Sequence, residues 1–87
     1  MVRDNDYVAV FHSVHRVMKA EKLLKREKLD ILLIPTPRQL TSDCGLAIRY
    51  DADLHARVDV VLTTENLQPI ELYRKTATGF ELVAGIA

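Results

Sequence analysis

The chain has 87 residues, 48% apolar and 28% charged, with twelve Lys and Arg offsetting twelve Asp and Glu. That length allows one domain, 1–87, burying only about 60% of the surface its unfolded chain exposes, and the balance is that of a globular protein rather than a disordered or membrane chain. Zero net charge excludes a global field that would drive the protein onto nucleic acid or an anionic membrane.

Cys44 is the only cysteine, which excludes an intrachain disulfide, a zinc knuckle or a vicinal redox pair and fits a reducing compartment. Met1 to Asp6 lacks the apolar run of a signal peptide. The longest apolar stretch, Leu29 to Pro35 interrupted by Asp30, is too short to span a bilayer. A cytoplasmic protein without membrane contact is expected.

In chain order, Tyr7 to Phe11 is a short bulky and β-branched run bounded by polar residues, which predicts a buried first strand. Ser13 is a natural N-cap for a helix running to about Glu27, with Val14, Val17, Met18, Ala20, Leu23 and Leu24 at helical spacing as its buried face. Ile31 to Ile34 predicts a second strand, closed by Pro35 and Pro37, which cannot donate ladder hydrogen bonds. A loop follows to Cys44, and Leu46 to Tyr50 predicts a third strand beyond Gly45. Asp51 or Asp53 can cap a second helix with a Leu54, Val58, Val61, Leu62 stripe, ended by Asn66 and Pro69. Ile70 to Arg74 alternates as a half-exposed fourth strand, and the turn at Thr76 to Gly79 leads to a hairpin strand at 80–83.

This order, βαββαβ over a core of 7–74 plus a C-terminal hairpin strand, predicts an α+β ferredoxin-like sandwich with both helices on one face of an antiparallel sheet. The first and third strands are then adjacent and antiparallel. Cys44 is expected beside His12 and Ser13, near the N–H groups that open helix one. The open face would carry Ala47, Arg49, Glu71 and Tyr73, a mixed surface that predicts a homodimer.

The loop from Thr36 to Gly45 concentrates prolines, hydroxyls, a charge and a glycine, and loops on a rigid scaffold carry function. A thiol becomes a useful nucleophile when a helix N-terminus or a cation lowers its pKa. Helix one, His12 or His15, and Arg38 or Arg49 could each act so on Cys44, whereas Asp43 opposes them. Ser42, Asp43, Gly45, Thr36 and Ser13 complete the expected anion-binding set. The alternation that puts Leu46 and Ile48 in the core also puts Cys44 in phase with them, so a merely packed cysteine stays open.

His12, His15 and Cys44 offer three ligands and no evident fourth, so no metal is expected, and the three glycines leave no dinucleotide fingerprint. No cofactor and no self-sufficient enzyme activity are expected. His55, on a helix flank, reads as a surface residue. Six of the twelve basic residues fall between Arg16 and Lys28. RNA contact through Arg16, Lys19, Lys22 and Arg26 is the lesser reading beside a solvated helix face, since no strand-borne aromatic pair accompanies them.

Tyr7-Val-Ala-Val-Phe-His-Ser13, Leu33-Ile-Pro-Thr-Pro-Arg38 and Ser42-Asp-Cys-Gly-Leu-Ala-Ile-Arg49 closely resemble the selenium/sulfur carrier protein-like family over about residues 7 to 74. The resemblance implies that Cys44 is a carrier thiol, that Pro35, Thr36, Pro37, Arg38, Ser42, Asp43 and Gly45 shape its pocket, and that sulfur or selenium donor and acceptor proteins are the partners. Two positions depart from the family's pattern: Glu27-Lys28-Leu29 stands where relatives tend to have a glycine helix cap, and Thr41 where serine is common. The alternative function is a regulatory or interaction module binding a small anion or a protein at the same loop.

Overall fold

A computed structural model describes residues 2–40 and 45–85. The chain forms β1 (Tyr7–Val10), α1 (Val14–Arg26), β2 (Ile31–Pro35), β3 (Leu46–Tyr50), a short 3-10 turn (Ala52–Leu54), α2 (His55–Thr64), β4 (Glu71–Thr76) and β5 (Gly79–Gly85). All pairings are antiparallel, in the order β2-β3-β1-β4-β5. The class is α+β, as expected, with β5 longer than the hairpin strand the sequence suggested.

Ser13 caps α1 in extended backbone, its hydroxyl accepting the Arg16 N–H at 3.2 Å. Both helices end alike. At α1 the Leu29 N–H bonds the Leu24 carbonyl at 3.1 Å and the Lys28 N–H that of Lys25 at 2.9 Å. At α2, Leu67 and Asn66 repeat the pair with Leu62 and Thr63. Such a double return needs a left-handed residue after the helix, and Lys28 (φ 62) and Asn66 (φ 56) supply it. Asn is a common solution there, whereas Lys pays for a Cβ where glycine has none.

The main core lies between the helices and one sheet face. Val17, Ala20 and Leu24 of α1 and Val58 and Leu62 of α2 pack on Ala9, Phe11, Ile31, Ile48, Tyr50 and Leu72. Val14 and Met18, expected in this core, are 62% and 44% exposed. The α1 stripe is narrower than its apolar composition because one short helix on a small sheet touches it along a single line of residues.

The opposite face is partly covered. Val8, Val10, Ile34 and Ala47 are buried there beneath the chain's own Val2, Leu40, Tyr73 and Phe80. The N-terminal residues and the β2–β3 loop thus cover part of the mixed surface that suggested a homodimer, while Leu32 and Leu82 on the same face stay 47% and 51% exposed. No helix among the described residues is long and apolar enough to cross a membrane.

Candidate functional site

The β2–β3 connection leaves a regular ladder. Pro35 pairs with Leu46, and one step further out the Thr36 N–H donates to the Gly45 carbonyl at 2.9 Å. Pro37, Arg38 and Gln39 then turn the chain, closed by the Leu40 N–H on the Pro37 carbonyl at 3.0 Å. Leu40 settles on the Val8, Val10, Ile34 and Ala47 cluster. Two prolines and one leucine thus give the loop its course, the prolines leaving the ladder and the leucine seeking the second core. Ser42, Asp43 and Cys44 lie outside the described residues.

Where the loop folds back, a groove of about 460 Å³ opens on the face away from the helices. Pro35, Thr36, Pro37, Arg38 and Gln39 form one wall, and Val2, Ile34, Lys75 and Phe80 complete it. The Lys75 ammonium lies 5.9 Å from the centre of the Phe80 ring, donates to the Thr76 carbonyl at 2.6 Å, and approaches Asp4 at 3.4 Å. Among the described residues no acid lines this groove. The sequence reading missed Val2, Lys75 and Phe80, because they reach the loop only through the folding of the two chain ends over one sheet face.

The expected corner at the end of β1 is built differently. Val10 pairs with Ala47, so the end of β1 and the start of β3 do share one sheet edge. His12, in left-handed backbone (φ 55), turns its imidazole toward Glu71, with Nε2 and Oε1 3.3 Å apart. Ser13 is engaged as the α1 cap. Arg38 lines the groove on the opposite face of the sheet from α1, so the described residues do not join it to the helix N-terminus in one pocket.

Arg49 also departs from its expected role. Its guanidinium is 2.9 Å from Asp6 and 3.9 Å from Asp51, toward the far end of β3 from Gly45. Burial pushes the Asp6 carboxyl up, but the Arg3 backbone N–H and the Arg49 guanidinium outweigh it and hold the pKa below the usual value. Arg49 is therefore a structural cation, not one aimed at the loop. His55 is half-buried rather than surface: its ring stacks on Tyr7 at 4.2 Å, and Nδ1 lies 3.1 Å from the Tyr50 hydroxyl. Among the described residues, no group of three His, Cys, Asp or Glu side chains is placed to hold a metal.

Fold and loop together define a small α+β domain that presents one proline- and hydroxyl-rich loop between two paired strands, beside a cation-walled groove. Residues 6–74 match the family model described as "Putative Se/S carrier protein-like", and the chain belongs to that family. No curated protein and no solved structure matches the chain. Val2, Lys75 and Phe80 lie outside the matched segment.

Proposed function

We propose that the protein is a sulfur or selenium carrier whose Cys44 thiolate takes its cargo from a donor protein and hands it to an acceptor. The family match carries this proposal, and the closed base of the β2–β3 loop, with Arg38 beside it, supports it. In loading, the thiolate attacks the outer sulfur of the donor's persulfide, the donor's S–S bond breaks, and the donor thiolate leaves. The sulfane sulfur moves with no net oxidation, and a selenosulfide forms analogously. Arg38 and loop N–H groups offset the charge of the terminal anion. The donor and acceptor supply the remaining chemistry in a reducing, cytoplasmic setting, and the carrier is not itself an enzyme.

The strand order β2-β3-β1-β4 with antiparallel pairing is what two interleaved βαβ units generate. We read the fold as a ferredoxin-like sandwich extended by β5.

Intact-mass measurement after incubation with a persulfide donor tests the carrier role. The wild type should gain the mass of one sulfur atom, Cys44→Ser should gain none, and a wild type left unmodified by a donor that loads a known carrier would sink the proposal. The second reading, an interaction module with a packed Cys44, follows from the inward phase of Leu46 and Ile48. It predicts alkylation only upon unfolding.

A further inference from the structure

Helix α1 commits Val17, Ala20 and Leu24 to the core and turns two further apolar side chains outward, Val14 and Met18. These stand one turn apart, on one line along the helix. An open groove of about 560 Å³ runs beside them, lined by His15, Met18, Lys19, Glu21, Lys22 and Lys25. The one acid in it is engaged, since Glu21 pairs with Lys25 at 3.1 Å. Lys19, Lys22 and Arg26, spaced i, i+3 and i+7, are exposed. None of the three has an ion-pair partner among the described residues. Arg16, by contrast, donates to the Asn66 carbonyl at 3.3 Å and so faces the end of α2. In a chain of zero net charge, three uncompensated cations on one helix face make a local field with a direction.

We propose that this face of α1 docks an acidic protein helix, one that sets two apolar side chains against Val14 and Met18 and carboxylates against Lys19, Lys22 and Arg26. Charge complementarity names the partner. The apolar pair precedes the three cations along α1, and a helix carries acids best in its first turns. The partner therefore lies antiparallel, its acidic start over Arg26 and Lys22 and its apolar residues over Met18 and Val14. An RNA would use the same cations but leave Val14 and Met18 in water, and no Phe, Tyr or Trp stands on α1 to stack a base. An anionic bilayer asks for a wider apolar face than two side chains, the rest of the stripe being in the core. The surface also has a place in the fold. Val10 pairs with Ala47, so α1 starts from the sheet edge to which the β2–β3 loop returns, and a partner seated on α1 ends at that edge.

The full chain is titrated with a synthetic amphipathic peptide, three Glu in its first half and two Leu in its second at matching helical positions, and backbone amide shifts are followed by NMR. A peptide of the same composition in scrambled order, a polyuridine oligonucleotide and phosphatidylglycerol vesicles are titrated alongside. Saturable shifts centred on Val14, Met18, Lys19, Lys22 and Arg26 would support the proposal. Binding should weaken about fivefold in Met18→Ser, which loses the burial of one side chain, and about fivefold in Lys22→Glu, which turns one attraction into a repulsion. Both positions are exposed, and unchanged amide shifts in β1 and β3 would show that the variants fold. Arg57→Glu changes the net charge equally from an exposed position on α2 and should alter affinity by less than about twofold. Absent shifts, shifts centred on α2, equal weakening by Lys22→Glu and Arg57→Glu, indifference to Met18→Ser, or equal binding of the scrambled peptide would overturn the proposal. So would tighter binding of the oligonucleotide or the vesicles than of the peptide. The titration involves no sulfur transfer, so failure here leaves the carrier role of Cys44 standing, to be judged by intact mass alone.

Discussion

Thr36 and Gly45 face each other across the base of the β2–β3 loop, the Thr36 N–H donating to the Gly45 carbonyl at 2.9 Å. This bond holds the start and end of the loop together, so the chain between them begins and ends at fixed points of a five-stranded sheet. Thr36→Pro removes the donor and should lower stability by about 1 kcal/mol, with faster hydrogen exchange at Leu46 next to the opened end. Gly45→Ala should stay within about 0.5 kcal/mol of the wild type, because its new methyl meets only the Thr36 hydroxyl at ordinary contact distance, 3.7 Å. Equal effects of the two substitutions in urea unfolding would refute this account of the loop base.

Asp6 and Arg49 should govern acid stability. Asp6 is 4% exposed and 2.9 Å from the guanidinium, and its pKa is depressed. A depressed carboxylate contributes stability that is fully present above its unfolded value, about 3.9, and disappears as pH falls through the folded value. Asp6→Asn should therefore flatten the loss of stability below about pH 4. Asp6→Ala should cost about 3 kcal/mol at neutral pH, because part-buried Arg49 is left with only Asp51, 3.9 Å away. Urea melts of the three proteins from pH 2 to 7 would show both effects.

Tyr50 should set the alkaline limit. It is 2% exposed, and burial first, then Tyr7 and Asp59, pushes its pKa up. A raised phenol contributes stability that is whole below the unfolded value, about 10, and is lost as pH rises beyond it, since the unfolded chain releases the proton more readily. Tyr50→Phe should remove that slope while costing about 1 kcal/mol at neutral pH for the lost bond to His55. Thermal melts between pH 7 and 11 would expose a slope that survives the substitution.

Strand and helix positions were legible wherever one residue decided the local outcome. Ser13 announced α1, Pro35 ended β2, and the run from Leu46 to Tyr50 is β3 to the residue. What the sequence did not disclose depends on who covers whom. Met18 and Leu24 carry similar apolar bulk in one helix, yet only Leu24 meets the sheet. Arg49 looked available to an anion until the fold brought Asp6 to it from 43 positions away. The groove beside the loop escaped notice for the same reason, since Val2 and Phe80 are distant in sequence and approach Pro35 only over the second face of the sheet. Local patterns carry no record of such encounters.

Lys28 offers a direct way to strengthen the fold without touching the loop. It is the left-handed residue after α1, with φ 62, and its N–H and that of Leu29 return to Lys25 and Leu24 as a glycine-type cap requires. A Cβ in that region costs roughly 1 kcal/mol that glycine avoids. The greater freedom glycine gives the unfolded chain recovers part of that difference. Lys28→Gly should therefore stabilise by about 0.5 to 1 kcal/mol, raising the urea midpoint with no change in slope. The equivalent Asn66→Gly after α2 should gain less, because Asn tolerates φ 56 better than Lys does. A destabilised Lys28→Gly protein would mean that the Lys28 side chain contributes more than its backbone conformation costs, although it projects into solvent.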